Sequence, residues 1–248
     1  MRWAGLAAGV AAIAAAPALV GTSGAEQEGL IPPVLTPLPA ILEPPVATPL
    51  PDPPDIGARV EERTLLRDAP NGRVVARVGR RTEFGSPRIV PVVRQRDGWV
   101  GVISAQRPNG RLGWLPATKV RLVREPVRLR VDLSARRLSV LRAGRVVWSM
   151  QVGVGSPGTP TPTGTFAVTD GLHWKGTNVY GCCVLALSGH QPHLAQGWTG
   201  GDRIAVHGTN SPWTIGAASS LGCLHAYDPD MRRLMRYATL GARVQIRA

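Results

Sequence analysis

Cysteine and acidic residues are scarce in this sequence of 248 residues. It has three cysteines, an odd number, so at least one thiol has no partner within the chain. Three cysteines also make no disulfide framework, so the fold must depend on its apolar core. The 16 Asp and Glu residues are outnumbered by 29 Lys and Arg residues, which gives a formal net charge of +13. Such a charge predicts a polyanionic partner.

Long apolar runs are also scarce, because the sequence has only one, at residues 4–20. It follows Arg2 and precedes small residues at 23–25, an order that predicts a signal peptide over residues 1–25. An uncleaved anchor is the alternative, but the run is shorter than the ~20 residues that span a bilayer comfortably. We therefore expect export to the cell wall, the periplasm or the medium, with no stable membrane span after cleavage. Export argues against nucleic acid and favours anionic polymers of the envelope.

Residues 26–58 are rich in proline. Proline fixes φ and removes a backbone donor, so this stretch is unsuited to a sheet or a helix interior. It predicts an extended polyproline linker. A disordered spacer without any other role is equally compatible with this composition.

Short β-like runs alternate with turns between residues 59 and 123, as at 73–78, 89–93 and 99–103. Pro91 lies in the second run and predicts an edge strand there. Such spacing predicts a small barrel.

Three motifs in this region resemble bacterial SH3-like modules: Leu-Arg-Asp-Ala-Pro at 66–70, Asp-Gly-Trp-Val at 97–100 and Gly-Trp-Leu at 113–115. Modules of that family often bind the cell wall, so the resemblance implies a wall-binding role. A packing or spacer domain is the alternative, because a fold does not fix a function.

The remaining residues, 125–248, predict a second domain, mainly of strands. Alternation at 127–133 predicts a half-buried strand, 136–152 reads as a hairpin, and 204–206 leads as a buried strand to His207. Residues 170–202 have little periodicity and predict a long loop over the fold.

One helix is predicted near the C-terminus. Asp228 is a suitable N-cap, Pro229 suits the first helical position, and apolar residues recur at helical spacing from Met231. Gly241 is expected to end this helix, before a last strand at 244–246.

Two segments carry candidate chemistry: His-Gly-Thr-Asn at 207–210 and Ser-Leu-Gly-Cys-Leu-His at 220–225. A thiol becomes a strong nucleophile when a nearby imidazole takes its proton, and Cys223 and His207 are suited to those roles. Glycines beside both allow close approach of a substrate and expose N–H groups to an oxyanion. An inert buried thiol and a structural histidine are the alternatives. Zinc is a further one, with His225 and the other cysteines as ligands, although adjacent cysteines lack the usual spacing.

These segments resemble the L,D-transpeptidase catalytic domain, the YkuD domain, whose signature is His-Gly-Thr followed by Ser-x-Gly-Cys and a helix start with Asn or Asp. Thr-Pro-Thr-Gly-Thr-Phe at 161–166 matches a further family stretch, and the likeness runs from Val127 to Ile246. It implies a β-sandwich in which Cys223 and His207 face each other in a cleft. Metal and cofactor are not required.

The resemblance implies acyl transfer from a peptidoglycan stem tetrapeptide, through a thioester on Cys223, to an amine acceptor. Water as the acceptor, which makes a carboxypeptidase, and a non-catalytic wall-binding protein are the alternatives; a polyanion-binding protein is a third. The expected substrate-binding or oxyanion residues are Gly222, Ser220, Gly208, Thr209 and His225.

Two positions depart from the family. Leu221 stands where histidine is usual, and His225 stands where arginine or asparagine is usual. His225 either replaces the arginine's role or is a surface residue. Cys182 and Cys183, in the predicted long loop, either pair with an outside thiol, shield Cys223 or pack beneath the loop. Trp174, Trp198 and Trp213 are candidates for a peptide groove or for the core.

Overall fold

The structure, a computed structural model, describes residues 55–173, 178–194 and 201–248. They belong to one compact unit, Pro49–Ala248. This part of the chain is mostly β-strand with one α-helix near the C-terminus, which confirms the predicted fold class. The predicted signal peptide, nearly all of the predicted linker, Trp174 and Trp198 lie outside the described residues. Within the described ranges, no helix has the length and apolar character needed to cross a bilayer.

The first seven strands form one antiparallel sheet in the order β3-β2-β6-β5-β4-β1-β7. They are β1 (Ile56–Val60), β2 (Thr64–Arg67), β3 (Val74–Val78), β4 (Ile89–Arg96), β5 (Trp99–Val102), β6 (Gly113–Pro116) and β7 (Val120–Arg124). Val60, Leu66, Val102 and Leu115 are fully buried in its core. Strand β1 begins at Ile56, inside the range 26–58 of the predicted linker.

Pro91 does not lie on an edge strand, so that expectation was wrong. Strand β4 lies between β1 and β5, and Pro91 marks the point where it changes partner. Residues 89–91 pair with β1, whereas pairing with β5 begins at Val92, next to a bulge. The Pro91 carbonyl accepts from the Ile103 N–H at 3.2 Å, so this residue still takes part in the sheet as an acceptor.

The second sheet has eight strands in the order β10-β9-β8-β17-β12-β13-β14-β16, and β11 pairs separately with β15. The strands are β8 (Val127–Asp132), β9 (Arg137–Arg142), β10 (Arg145–Gln151), β11 (Val154–Gly155), β12 (Gly164–His173), β13 (Cys183–His190), β14 (Arg203–His207), β15 (Ala218–Ser220), β16 (Leu224–His225) and β17 (Arg243–Arg247). Its core is a separate cluster that includes Leu129, Phe166, Leu187 and Ile204.

The long loop predicted at 170–202 contains strand residues in its described part. Strand β12 continues to His173, and β13 occupies Cys183–His190 in the middle of the sheet. Seven of the eight β13 residues are buried. A strand that is covered on both faces has no alternation of apolar and polar residues, so the period-2 signal was missing.

The predicted helix is present as α1 (Asp228–Tyr237), and its Met231 and Leu234 side chains are fully buried. Its N-cap is Tyr227 rather than Asp228. The helix also ends before the predicted stop at Gly241, whose N–H bonds to the Val168 carbonyl at 2.9 Å. The Asp228 carboxylate is therefore available for a contact outside the helix.

Polar contacts join the two sheets. Asn109 and His190 exchange two hydrogen bonds, with the Asn109 amide donating to the His190 carbonyl at 2.7 Å and the His190 N–H donating back at 2.9 Å. Arg203 pairs with Glu83 at 2.5 Å. The division into an SH3-like domain at 59–123 and a catalytic domain at 125–248 stays a prediction.

Candidate active site

Cys223 and His207 lie on adjacent backbone segments. Strands β14 and β16 are parallel, with His207 opposite His225 and Val206 opposite Leu224. Cys223 immediately precedes β16, and its thiol is hydrogen-bonded by the backbone of Ala205. Because residues two apart on a strand share a face, this register assigns Cys223 and His207 to the same face of the sheet, at neighbouring positions.

The His207 imidazole is fixed by a hydrogen bond to its own neighbour. Nδ1 lies 2.5 Å from the Gly208 carbonyl oxygen, which only accepts, so Nδ1 carries the proton. The lone pair of the neutral ring is then on Nε2. His207 therefore has the tautomer that a base acting through Nε2 requires.

His207 is uncharged at neutral pH. Burial lowers its pKa from 6.5 to about 4, the hydrogen bond to Gly208 opposes this, and the nearby His225 lowers the pKa further. Tyr180 packs edge-on against the ring, with centroids 5.0 Å apart. A neutral imidazole can accept a proton from a thiol.

His225 is a second imidazole in the same site, 4.7 Å from His207 between ring centroids. Its Nδ1 lies 2.9 Å from the Thr214 hydroxyl oxygen. That hydroxyl donates its own hydrogen to the Ser211 carbonyl at 2.7 Å. Nδ1 of His225 therefore donates, and Nε2 carries the lone pair. Burial lowers the pKa of His225, so it is not the permanent cation that an arginine would be.

The turn before Cys223 is held by Ser220. The Ser220 hydroxyl donates to the Cys223 carbonyl at 2.6 Å and accepts from the Gly222 N–H at 3.0 Å. The Gly222 N–H was expected to bind an oxyanion, but in the described structure it is occupied by this internal bond. Ser220 likewise acts on the turn, which leaves the Cys223 N–H as the oxyanion donor to consider.

Gln191 braces the same turn from the opposite side. Its amide nitrogen lies 3.2 Å from the Leu221 carbonyl, 2.9 Å from that of Pro160 and 3.2 Å from that of Thr159. Gln191 is buried. Gly222 has φ of 114°, and a Cβ there would overlap the Gln191 amide, so glycine is required.

Cys223 is partly exposed, and its thiol is the free one among the three cysteines. Burial raises the pKa of the thiol, and the hydrogen bond from the Ala205 backbone only partly offsets this. The resting pair is a neutral thiol and a neutral imidazole, and the proton must move when the sulfur attacks.

Gly208 and Thr209 shape the neighbouring backbone. The Gly208 N–H donates to the Cys183 carbonyl at 3.1 Å, and the Thr209 hydroxyl accepts from the Ser211 N–H at 3.0 Å. A Cβ at Gly208 would overlap the Asp228 carboxylate. Both residues thus lie at the site, and the Gly208 N–H and the Thr209 hydroxyl each form a hydrogen bond within the protein.

Cys182 and Cys183 form a disulfide between neighbours, a pairing that sequence reasoning did not consider. Both are buried, and the Cys182 N–H donates to the Asp228 carboxylate at 3.1 Å. The bridge removes both sulfurs from the zinc ligand set. No group of three or more potential metal ligands occurs within residues 55–173, 178–194 and 201–248.

Two apolar side chains are exposed near the site. Trp213 is 77% exposed and Leu221 is 50% exposed. Trp213 lies in a short 3-10 helix, Pro212–Thr214, whose last residue holds His225. An exposed tryptophan is not a core residue, which favours the predicted groove role for Trp213.

Residues 126–246 match the family model of the L,D-transpeptidase catalytic domain, YkuD. The YkuD proteins of Bacillus licheniformis and Bacillus subtilis, which carry a provisional L,D-transpeptidase name, are each 31% identical over 121 residues. The aligned region covers 49% of this chain and 66% of each relative, so the chain spans just under two thirds of their length.

Solved structures of L,D-transpeptidases are also similar to part of this chain. L,D-transpeptidase 3 from Mycobacterium tuberculosis, in complex with a faropenem-derived adduct, is 14% identical, with 55% of this chain and 73% of that chain covered and a TM-score of 0.41. The catalytic domain of the E. faecium L,D-transpeptidase is 24% identical, with 49% and 96% covered and a TM-score of 0.34.

Sequence reasoning proposed Cys223 and His207, which the structure places on adjacent backbone segments, but did not single out Gln191. The Ser-x-Gly spacing before Cys223 is a local signal that could have predicted the Ser220 turn. Gln191 has no such signal, because its three acceptors are distant in sequence. Its role is visible only after folding.

Proposed function

We propose that this chain is a peptidoglycan L,D-transpeptidase that cross-links stem peptides of the bacterial cell wall. Cys223 is the nucleophile, and His207 is the general base and acid. The observation that carries the proposal is the shared face of the two residues, with Nε2 of His207 unprotonated, inside the segment that matches the family. Peptidoglycan stem peptides are therefore the proposed substrates.

The first half-reaction is the attack of Cys223 on the amide carbonyl after the third residue of a donor tetrapeptide. Because the resting thiol is neutral, its proton passes to Nε2 of His207 as the sulfur–carbon bond forms. The carbonyl oxygen becomes an oxyanion. The intermediate then expels the terminal D-residue, whose amine takes the proton from His207, and a thioester remains.

The second half-reaction transfers the acyl group to an amine of a neighbouring stem. His207 takes a proton from this amine as its nitrogen attacks the thioester carbonyl. The carbon–sulfur bond breaks, a new amide is formed, and the proton returns to Cys223. Atoms and charges balance without a metal or an organic cofactor.

The backbone N–H of Cys223 is the proposed oxyanion donor, since Ser220 occupies that of Gly222. His225 is proposed to orient the substrate as a neutral hydrogen-bonding group. Because its pKa is lowered, His225 is better suited to this neutral role than to pairing as a cation with a substrate carboxylate. Trp213 and Leu221 are proposed to line the peptide groove.

The proposed location is outside the cytoplasm, at the cell wall. The signal pattern at residues 1–25 supports export, and residues 59–123 are proposed to be an SH3-like module that helps hold the enzyme at the wall. The net charge of +13 supports additional contact with anionic wall polymers.

The test is incubation of the full chain with a disaccharide-tetrapeptide and analysis of the products by mass spectrometry. A cross-linked dimer that lacks one terminal D-residue is expected, and Cys223→Ala is expected to give none. A product that has lost the D-residue without dimer formation would instead assign a carboxypeptidase with water as acceptor. Binding to sacculi with no product from the unmodified chain would indicate a non-catalytic wall-binding protein.

A further inference from the structure

A cavity of about 410 Å³ lies between the two sheets, away from the proposed catalytic pair. One wall is the loop between β5 and β6, and the other is formed mainly by the solvent-side residues of β8 and β17. Cys223 and His207 do not line it. Its volume is in the range of about 300–1,000 Å³ that is typical of ligand sites.

Arginine dominates the polar lining of this cavity, and none of the residues that line it is acidic. The six arginines are Arg107, Arg111, Arg128, Arg130, Arg243 and Arg247. Strand pairing brings four of these arginines together. Arg128 lies opposite Arg243, and Arg130 and Arg247 lie farther along the same two strands. A concave site lined by one sign of charge focuses its electrostatic field on a counter-ion.

Several of these guanidinium groups are held in place. Arg107 Nε donates to the Leu112 carbonyl at 3.0 Å, and Arg247 donates to the Gln245 side chain at 2.7 Å. Arg243 donates to the Val92 carbonyl. Arg128 forms an ion pair with Asp55 at 2.7 Å. Arginines that are already oriented lose less freedom when they bind an anion in a bidentate way.

We infer that this cavity is a binding site for the oxyanions, phosphate or carboxylate, of a cell-envelope polymer. The presence of arginines on both walls suits a ligand with more than one anionic group. The choice of an envelope polymer rests on the proposed function, whereas the anion site rests on the cavity alone. The site would hold the enzyme on its polymer while the separate catalytic pair acts on stem peptides.

The test is isothermal titration of the full chain with two probes, a glycerol phosphate oligomer and the disaccharide-tetrapeptide. The double variant Arg130→Gln/Arg247→Gln is compared with Arg77→Gln/Arg236→Gln, which removes the same charge from exposed positions outside the cavity. We expect the cavity variant to weaken binding at least about tenfold and the control to change it less than about twofold. The stronger probe identifies phosphate or carboxylate as the preferred group.

Equal weakening in both double variants would mean that net charge alone attracts the polymer and would overturn the cavity site. Binding of neither probe at low salt would also overturn the cavity site. Activity on a soluble stem peptide is measured in parallel, and the cavity variant is expected to retain it. Binding without activity in the unmodified chain would refute the proposed function while leaving the anion site in place.

Discussion

The imidazoles of His207 and His225 lie 4.7 Å apart, at positions that are paired between two parallel strands. Both rings are buried enough to have lowered pKa values, and each donates through Nδ1 to an oxygen of the protein. Two cations at this distance would repel each other, so the pair is stable only when it is largely uncharged. The acid limit of the proposed activity, the pH below which it falls, follows from this arrangement.

The first prediction concerns the acid limb of the pH profile, the range in which kcat/KM falls as the pH is lowered. Activity requires neutral His207, whose pKa is lowered to about 4, so kcat/KM should begin to fall only near pH 4. In His225→Gln the limb should move to higher pH, because the neighbouring imidazole that lowers the pKa of His207 is gone. The measurement is a pH profile of kcat/KM, with His173→Gln as a control outside this pair. A limb near pH 6.5 in the unmodified chain would contradict a buried neutral base.

The second prediction uses the same lowered pKa as a stability effect. Between pH 6.5 and pH 4 the unfolded chain binds a proton at residue 207 that the folded chain excludes. The free energy of unfolding should therefore fall as the pH is lowered, with up to ~3 kcal/mol from this residue at pH 4. Denaturant titrations at several pH values would measure it. The fall should be smaller in His207→Gln, and an identical fall in both proteins would exclude the effect.

The third prediction concerns the thiols. Because Cys182 and Cys183 are bonded to each other, the native chain should take up one equivalent of iodoacetamide, at Cys223, and none in Cys223→Ala. Because burial raises the pKa of Cys223, the rate should keep increasing above the pH at which an ordinary thiol is half ionised. Intact mass and peptide mapping give the site and the rate. Labelling of three sulfurs without a reductant would disprove the bridge.

The fourth prediction tests the brace on the turn before the nucleophile. Gly222→Ala should lower stability by at least about 2 kcal/mol, because alanine is strained at φ of 114° and its Cβ would displace the Gln191 amide. Gly158→Ala is the matched control, since a Cβ there meets no other atom within 4 Å. Thermal unfolding and kcat/KM are the measurements. Equal effects of the two changes would argue that the turn is not braced.

The fifth prediction isolates Gln191 as a positioning residue. Gln191→Leu keeps the approximate volume but removes the donor shared by three carbonyls, so kcat should fall by about tenfold or more as the turn loosens. The alkylation rate of Cys223 should change as well, which a simple loss of stability would not cause under conditions where the chain is fully folded. Gln95→Leu, at an exposed position, serves as the control.

Local signals explain which parts of the fold were predictable. The hairpin of β9 and β10 was predicted from its turn, where Ala143 and Gly144 both have positive φ, and the helix was predicted from its apolar stripe. Strand β13 was missed because burial on both faces removes the alternation that marks a strand. The expectation that Pro91 marks an edge strand failed because β4 changes its pairing partner at this residue.

The proposed nucleophile and base could be predicted because their residue types and spacing are local, but their pKa values could not. The pKa of Cys223 depends on how deeply the folded chain buries the sulfur, which cannot be read from the residues next to it in sequence. The disulfide was missed for a different reason. Cys182 and Cys183 were predicted to pair with an outside thiol, to shield Cys223, to bind zinc or to pack beneath a loop, so a bond between the two neighbours was not among the alternatives.

Strand β16 connects the reacting sulfur directly to the interior of the molecule. Leu224, which follows Cys223, is buried in the core, and the Ala226 N–H bonds to the His207 carbonyl at 2.9 Å. We therefore expect the proposed catalytic pair to loosen only together with the sheet that carries it, and slow amide exchange with deuterium should extend to these two backbone segments. Heat inactivation and the loss of the folded state should follow one common curve.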